Sequence, residues 1–514
     1  MFDMEKLVQE LNARVLLEED QLIILETSKE RLESTAVYLK NHMGFVFLKL
    51  VNTSGNADSR KVWYWFENIE TGAALGLFLF SQEEGIPSLS SVFKNAKHLE
   101  QMCFEEILES DYLSRSDELP PPKKSVEAAF VNPSVREVFN PSSFLSVDGE
   151  LETGVVTIDE AVQYCKVFSG RYHSGFEKQI SGKHFDEVAK DLLTYDGYQG
   201  IVWSNLFLQA LEKRNHIAIP DKAQAIRIIF IEFARMQEHL QFLANIAQEA
   251  KAKSFHLTIL KWSLVLERLL RQYTGNSLNL GILTLGGVNR VPPVNWLSTC
   301  IQELAKVGKE VSEFVEKLSK SSFWRQLDEV APLQPKLLID WSIQGPALRA
   351  SGINFDLRKR RPTYLYDELE FQTPIGVNGS LYDRFLVRFE EIAQSISIIS
   401  QLLDNLPTDG VVAKGVPHFS HLSSDIENNE ESYEASILKS MKLKDGEYYS
   451  SMEAASGSIQ IFFSLVDNKV YDLKLGTDYL SKLLCLEEVS FGITYENLGL
   501  LLKSMHINQK ALEK

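Results

Sequence analysis

The sequence predicts an α+β protein: a small N-terminal α/β domain over residues 1–110, a linker over 111–143, and a mainly helical domain over 144–514 with flanking β hairpins. Three observations carry this. Short helical and strand-like segments alternate through residues 1–108. The composition then turns polar and proline-rich from Glu109. Beyond residue 171, apolar residues recur at helical spacing as far as Pro407, which marks a largely helical region.

Taken in order, residues 7–17 and 29–42 read as helices, and 21–26, 45–51, 61–67 and 74–80 as strands, a small α+β unit. Pro120-Pro121-Pro122-Lys123-Lys124, Asn132-Pro133 and Asn140-Pro141 favour extended backbone and suit a linker. Residues 144–157 read as a hairpin, with Asp148-Gly149 as a two-residue turn between alternating apolar positions. After the helical region, 423–434 is a solvated loop and 457–475 returns to strand-like alternation.

A chain of 514 residues with 44% hydrophobic content can bury a substantial core and hold two or more domains. Its net charge of −17 argues against nucleic acid, which demands a basic face, and against direct binding to an anionic bilayer. The start, MFDMEKLVQEL, carries acidic residues and no apolar core, so no secretory signal is expected. Nowhere do about 18 apolar residues run uninterrupted, so no direct transmembrane insertion is expected and any membrane role comes through partners. Cys103, Cys165, Cys300 and Cys485 are scattered and form no CxxC pair, which fits a reducing cytoplasm. GxGxxG, P-loop and HExxH patterns are absent from the sequence, so any dinucleotide is expected to bind elsewhere.

The most informative run is 345–359, GPALRASGINFDLRK. Gly345-Pro346 suits a turn or helix start, and Gly352 permits a positive φ. Arg349, flanked by apolar and small residues, is expected to be at least partly buried and to need an anionic or carbonyl partner, with Asp356 nearest in sequence. Two readings stay open: a structural Arg–Asp clamp, or support for a functional site. Upstream, Glu232, Arg235 and His239 share one helix face, either as an ion pair with a packed histidine or as support for a site at the domain interface. The basic run 358–361, followed by Asp367, Glu368 and Glu370, reads as internal charge pairing or a docking surface.

Run 345–359 resembles the GPxxRASGxxxDxR signature of the D-type subunit of complex I and of the large subunit of nickel–iron hydrogenases. In family order, 219–239 (IPDKAQAIRIIFIEFARMQEH) resembles the VPxRAQxxRxxxxExxRxxSH helix, 285–290 (LGGVNR) the IGGVR turn, and 374–388 (PIGVNGSLYDRFLVR) the PxGxxGDxYDRYLVR segment. More weakly, 86–108 is similar to the end of the C-type subunit of complex I, which precedes the D-type in fused chains. The resemblance implies a C/D-type fusion within the energy-converting hydrogenase-related superfamily, with a C-type domain ahead of the linker and a D-type domain, like a hydrogenase large subunit, after it.

Against that resemblance, the cysteine ligands are lost. The early RxCGxCG motif falls on 194–200, TYDGYQG, putting Asp196 and Gln199 at the cysteine positions, and the late DPCxxC falls loosely on 506–511, HINQKA. A nickel–iron centre needs soft thiolates, so no metal is expected here. For the quinone-reducing branch, the resemblance implies an HPxTHG loop histidine and a tyrosine following the aspartate. Here Asn140-Pro141-Ser142-Ser143-Phe144 stands for the loop, Gly197 takes the tyrosine's place, and Tyr198 follows one position later, reaching the cavity or simply packing in the core. In 171–178, RYHSGFEK, the HRGxEK pattern keeps His173, Gly175, Glu177 and Lys178 but has Ser174 for arginine. Glu177 is either a buried proton-relay carboxylate or a surface neighbour of Lys178.

The resemblance therefore implies a component of a membrane-associated NADH-quinone-oxidoreductase-like or hydrogenase-related complex, coupling electron transfer to ion translocation without nickel. Tyr198, His173, Asp196 and Glu177 are the candidate quinone and proton-relay positions, with Arg349, Asp356 and Arg358 as site support. This chain is expected to bind no cofactor of its own, quinone being the candidate ligand, while a cluster-bearing small subunit holds an iron–sulfur cluster and membrane-embedded subunits anchor the complex on the cytoplasmic face. The rival reading is a non-catalytic assembly or coupling subunit of an ion-transporting complex.

Overall fold

The computed structural model describes residues 14–19, 21–55, 60–80, 86–105, 135–146, 149–158, 160–168, 174–278, 280–416 and 441–508. The expected α+β architecture is present, with an N-terminal sheet unit, a helical body and β hairpins on either side of it in sequence.

The N-terminal unit is a five-stranded sheet ordered β1-β2-β5-β4-β3, built from Arg14–Glu19, Leu22–Glu26, Ala74–Phe80, Lys61–Glu67 and Phe47–Ser54 respectively. Only β2 and β5 run parallel. Strand β4, KVWYWFE, shows the period of two: Val62, Tyr64 and Phe66 enter a core with helix α1 (Leu32–Met43), while Trp63 and Trp65 face the other way. That second face is also covered. Trp65 stacks on Tyr449 with ring centroids 3.7 Å apart, and Phe462 closes over both tryptophans. Both faces are therefore buried, which is why the strand reads as an apolar run rather than a polar–apolar alternation. Gly76 on β5 is required by this stack, since a Cβ there would lie 2.6 Å from the Trp65 ring.

Two sequence expectations change here. Of the helix expected over 7–17, residues 14–17 instead open β1, where pairing with β2 satisfies their backbone; 7–13 lie outside the described residues. The strand β6 (Val135–Ser146) begins within the span assigned to the linker, pairing with β7 (Gly149–Ile158), which pairs with β8 (Ala161–Phe168). Gly149 pairs with Ser146 as the first residue of β7 rather than closing a turn with Asp148, and residues 147 and 148 lie outside the described residues. Most of the linker, 111–134, lies outside the described residues, as does 423–434.

After α2 (Ala96–Glu105), the body comprises α3 (Phe176–Ile180), α4 (Phe185–Tyr195), α5 (Gly200–Arg214), α6 (Asp221–Glu249), α7 (Lys253–Thr274) and α8 (Val294–Ser319). Shorter helices α9 (Ser322–Gln326), α10 (Pro335–Asp340), α11 (Gly345–Ala350) and α12 (Leu357–Arg360) lead to the long α13 (Leu381–Asp404). Helix α6 is buried on every side over 225–240 and packs against α5, α7 and α13. A helix in that position is the axis of the fold. Its Arg227 pairs with Glu212 at 2.7 Å and donates to the carbonyls of Thr284 and Gly287, clasping the small hairpin of β9 (Leu283–Thr284) and β10 (Gly287–Val288). Helix α13 starts on a capping box in which Ser380 and Asp383 satisfy each other's backbone N–H.

The chain ends with an antiparallel sheet of β11 (Gly446–Glu453), β12 (Ser458–Val466) and β13 (Lys469–Gly476), then α14 (Tyr479–Val489) and α15 (Tyr495–Ser504). Its β11–β12 turn drives into the body beside α11. The edge of β3 is covered there too: Leu48 N–H donates to Ser342 Oγ and the buried Lys49 ammonium to Gln344 Oε1.

Candidate functional site

Where α6, α11, α12, α13 and the end of β11 meet, four guanidiniums and four carboxylates are buried together: Arg235, Arg349, Arg358 and Arg388 against Glu232, Asp356, Glu391 and Glu453. Arg349 has no exposed surface. Its Nε and Nη2 donate to Glu391 Oε1 at 2.9 and 2.7 Å, and Nη1 donates to Glu453 Oε1 at 2.8 Å and to the Phe355 carbonyl. Arg358 holds Asp356 at 2.7 Å and Glu232 at 3.2 Å. Glu232 also accepts from Tyr366 and Ser395 hydroxyls, each at 2.6 Å. Arg235 donates to the carbonyls of Glu453 and Ala454, and Arg388 to that of Ala455.

The backbone explains how α11 reaches this point. Gly345 has φ +67°, and a Cβ there would stand 2.5 Å from Gly457 Cα and Ser456 O, so only glycine lets the start of α11 touch the β11–β12 turn.

Burying so many ions is tolerable because all but Arg388 lie within ion-pair distance of an opposite charge, and Arg388 donates to His239 and to the Ala455 carbonyl. The protonation states follow. Burial alone would raise Asp356, but Arg358 and then Arg349 overcome it and hold the carboxyl down at about 2. Glu391 is likewise held well below its usual range, against burial, by Arg349 and His239. His239, whose Nε2 lies 2.8 Å from Glu391, is pushed down to about 3, chiefly by burial; Glu391 resists, and Arg388 and Arg235 add to the depression. The histidine is therefore neutral, its Nδ1 accepting from Arg388 at 3.0 Å and its Nε2 facing Glu391.

A second polar cluster adjoins through Arg388. Asp196, at the end of α4, is buried, accepts from Trp203 Nε1 at 3.1 Å, and accepts from the side-chain amide of Asn508 beyond α15. His506 Nε2 lies 2.7 Å from Glu238 Oε1. Tyr479 donates to Ser456 Oγ, and Lys482 bridges Asp478 and the Ser456 carbonyl. The two chain segments aligned with the early and late cysteine motifs thus meet at Asp196 and Asn508, far apart in sequence. Among the described residues, no group of three or more His, Cys, Asp or Glu side chains is placed to hold a metal ion. The four cysteines are buried elsewhere, and burial pushes the Cys300 and Cys485 thiols up to about 12.

Residues 262–508 match the family described as respiratory-chain NADH dehydrogenase, 49 Kd subunit. The chain is 30% identical over 342 residues to the NADH-ubiquinone oxidoreductase 49 kDa subunit of Reclinomonas americana, covering 65% of this chain and 85% of that protein. It is 31% identical over 292 residues to the NADH-quinone oxidoreductase D-type subunit of Carboxydothermus hydrogenoformans, covering 56% and 76%. The chain belongs to the 49 kDa family of NADH-quinone oxidoreductases, to which the D-type subunits belong. It is also 28% identical over 327 residues to the NADH-quinone oxidoreductase C/D protein of Bdellovibrio bacteriovorus, spanning 58% of that relative's length.

In this 49 kDa-family chain, the residues picked from sequence fall into four groups. Arg349, Asp356 and Arg358 do converge in the buried lattice, but Arg349 bonds Glu391 and Glu453, while Asp356 serves Arg358 and the N-terminus of α12. The expected Arg349–Asp356 clamp gives way because the fold brings two carboxylates closer than the neighbour in sequence. Asp196 lies in the adjoining cluster. Tyr198 and Glu177 point elsewhere: the Tyr198 hydroxyl donates to Glu267 on α7 at 2.9 Å, and Glu177 is buried against β13, bonded to Lys474 and the Leu475 N–H rather than facing solvent beside Lys178. His173 lies outside the described residues.

Other family-derived positions shift as well. Asn140–Phe144 sits within β6, where pairing is interrupted opposite Glu152, rather than at a hairpin tip. In the basic run, Arg358 pairs with Asp356 and Glu232, and Arg361 reaches Glu67 of the N-terminal sheet, not the acidic residues that follow in sequence. Sequence reasoning missed Arg388, Glu391, Glu453, Glu238, His506 and Asn508 as site residues. One signal was available: Glu238 stands where the resembled helix motif has serine.

Proposed function

We propose that this chain is the quinone-facing peripheral component of an NADH-quinone-oxidoreductase-type complex, a C/D fusion that works without nickel and couples electron transfer to ion translocation. The observation that carries this reading, within the family, is the Asp196–Asn508 contact. The segments that would bring thiolates to nickel instead bring together a carboxylate and an amide, donors suited to protons and hydrogen bonds rather than to a soft metal centre. Reducing a quinone demands protons at both carbonyl oxygens, and a buried carboxylate beside a neutral polar lattice suits that task. Asp196, Tyr198, His173 and Glu177 remain the candidate quinone and proton-relay positions, with Arg349, Asp356 and Arg358 holding the surrounding helices in register. Electrons would come from an iron–sulfur cluster in a neighbouring small subunit, NADH would bind on another subunit, and membrane-embedded partners would fix the complex to the inner face of the membrane. No described helix is long and apolar enough to cross a membrane.

The purified complex is expected to reduce a short-chain quinone with NADH, with Asp196→Ala lowering kcat at least about tenfold while the assembled complex stays intact. Unchanged turnover in that variant, or nickel bound stoichiometrically to this chain, would reject the proposal. The second reading, a coupling subunit without its own chemistry, draws on Gly197 and on the Tyr198 hydroxyl being committed to Glu267. Protection of Tyr198 from chemical modification by quinone analogues, with slower turnover in Tyr198→Phe, would decide against it.

A further inference from the structure

Glu238 and His506 are 268 positions apart in sequence and meet at 2.7 Å inside the protein, at 4% and 3% exposure. They sit beside the Asp196–Asn508 contact, since His506 and Asn508 leave α15 two residues apart. Neither α6 packing nor α15 capping calls for an acid and an imidazole here. Phe242, one turn along α6, packs edge-on against the imidazole with centroids 5.2 Å apart. His506 Nδ1 is buried and has no hydrogen-bond partner among the described residues. One ring nitrogen is thus tied to the acid, and the other is buried with no partner among the described residues.

We propose that Glu238 and His506 form a proton-holding pair for the chemistry at the Asp196 cluster, loaded and discharged through His506 Nδ1. This rests on the quinone reading above. In the unloaded state the Glu238 carboxylate accepts from His506 Nε2–H, leaving the Nδ1 lone pair bare. A proton that binds Nδ1 lets Nε2 pass its own proton to Glu238 Oε1, and the pair becomes a carboxylic acid donating to a neutral imidazole of the other tautomer. Discharge reverses both transfers. Reduction of one quinone to quinol takes two electrons, delivered singly from the neighbouring iron–sulfur cluster, and two protons, delivered in two discharges with reloading from solvent between them. Each discharge forms one O–H bond on the quinone and returns the pair to its unloaded state.

The electrostatics support this geometry. Burial pushes the Glu238 carboxyl up to about 7, opposed by Arg388. His506 is held well below its ordinary range by burial, then by Arg388 and Lys482, against Asp478, so the imidazole relays a proton without storing one as a cation. Tyr479 from α14 and Tyr198 from the turn after α4 also lie in the carboxyl's field, and burial keeps both hydroxyls protonated.

Infrared difference spectra of the assembled complex between about pH 6 and pH 8 test the pair directly. A protonated-carboxyl band is expected that titrates near neutrality, vanishes in Glu238→Gln and returns in Glu238→Asp. In turnover, Glu238→Gln and His506→Phe are expected to lower kcat at least about tenfold with KM nearly unchanged and to flatten the rate profile near neutral pH, while Glu238→Asp keeps the profile. A band that survives Glu238→Gln, or a Gln variant with wild-type kcat and pH profile, overturns the proposal. A wild-type complex that shows the titrating band yet reduces no quinone supports the proton-holding pair and rejects the quinone reading instead.

Discussion

Removing the guanidinium of Arg349 tests whether the buried lattice is an electrostatic unit. In Arg349→Met, the apolar volume is nearly kept, but Glu391 and Glu453 lose the hydrogen bonds at 2.7, 2.9 and 2.8 Å that compensate them, and both carboxylates remain without exposed surface. Deleting one partner of a buried ion pair costs about 3–5 kcal/mol, and two stranded carboxylates put this case at the upper end. The sign of the pH dependence separates stranded charge from lost packing. Without Arg349, the folded-state pKa of Glu391 rises from its depressed value and that of Glu453, which burial already raises, rises further, so the folded variant takes up protons that the unfolded chain does not. Its deficit against wild type is therefore greatest above the raised pKa and shrinks in acid. Urea unfolding followed by tryptophan fluorescence is expected to give a destabilisation at about pH 7.5 that exceeds the value at about pH 5.5 by more than ~1 kcal/mol. The Arg349→Met/Glu391→Gln double variant is expected to lose about 1–3 kcal/mol less than the sum of the single losses. A total loss under about 1 kcal/mol, strict additivity, or a deficit independent of pH would refute the argument.

Gly76→Ala is expected to cost about 1–3 kcal/mol, because the new methyl meets the Trp65 ring at 2.6 Å and unseats its stack on Tyr449. A wild-type Tm with unshifted tryptophan emission would mean that this stack does not join the N-terminal sheet to the β11–β12 hairpin. His239→Gln probes the neutral histidine, whose folded pKa of about 3 lies below the unfolded value. Between about pH 6.5 and pH 3 the unfolded chain binds the proton and the folded chain does not, so wild type loses stability as pH falls through that window. Glu238, raised to about 7, works in the opposite direction in both proteins, so the wild-type minus variant difference isolates the histidine. The variant's stability is expected to fall less steeply in acid, and parallel curves would show that His239 is protonated in the folded protein.

What the sequence disclosed and what it concealed divide along the range of the interactions involved. Strands β4 and β5 follow from short apolar runs and the long helices from local periodicity, and the glycines at 345 and 352 follow from their neighbours, with φ of +67° and +93° as the turn chemistry demands. The partner of Arg349 does not follow, because proximity in sequence favours Asp356, while helix packing brings Glu391 and Glu453 from 42 and 104 residues away. The same reasoning explains β1, whose six residues carry a weak helical pattern that a neighbouring strand edge overrides.

The lattice also bears on how positions that carry thiolates in the resembled hydrogenase motifs can hold other residues. Its acids and bases lie on α6, α11, α12, α13 and β11, and Arg235, Arg349 and Arg388 all bond backbone carbonyls as well as acidic or imidazole side chains. Charge balance and backbone satisfaction are therefore met by the same side chains, and neither depends on the residues at 196, 199 and 508. Replacing cysteine at those positions changes the ligands offered to whatever binds there, but it strands no ion in the lattice. The chemistry of the cluster is in this sense separable from the stability of its frame, so Asp196→Ala should alter turnover at far smaller cost to folding than Arg349→Met.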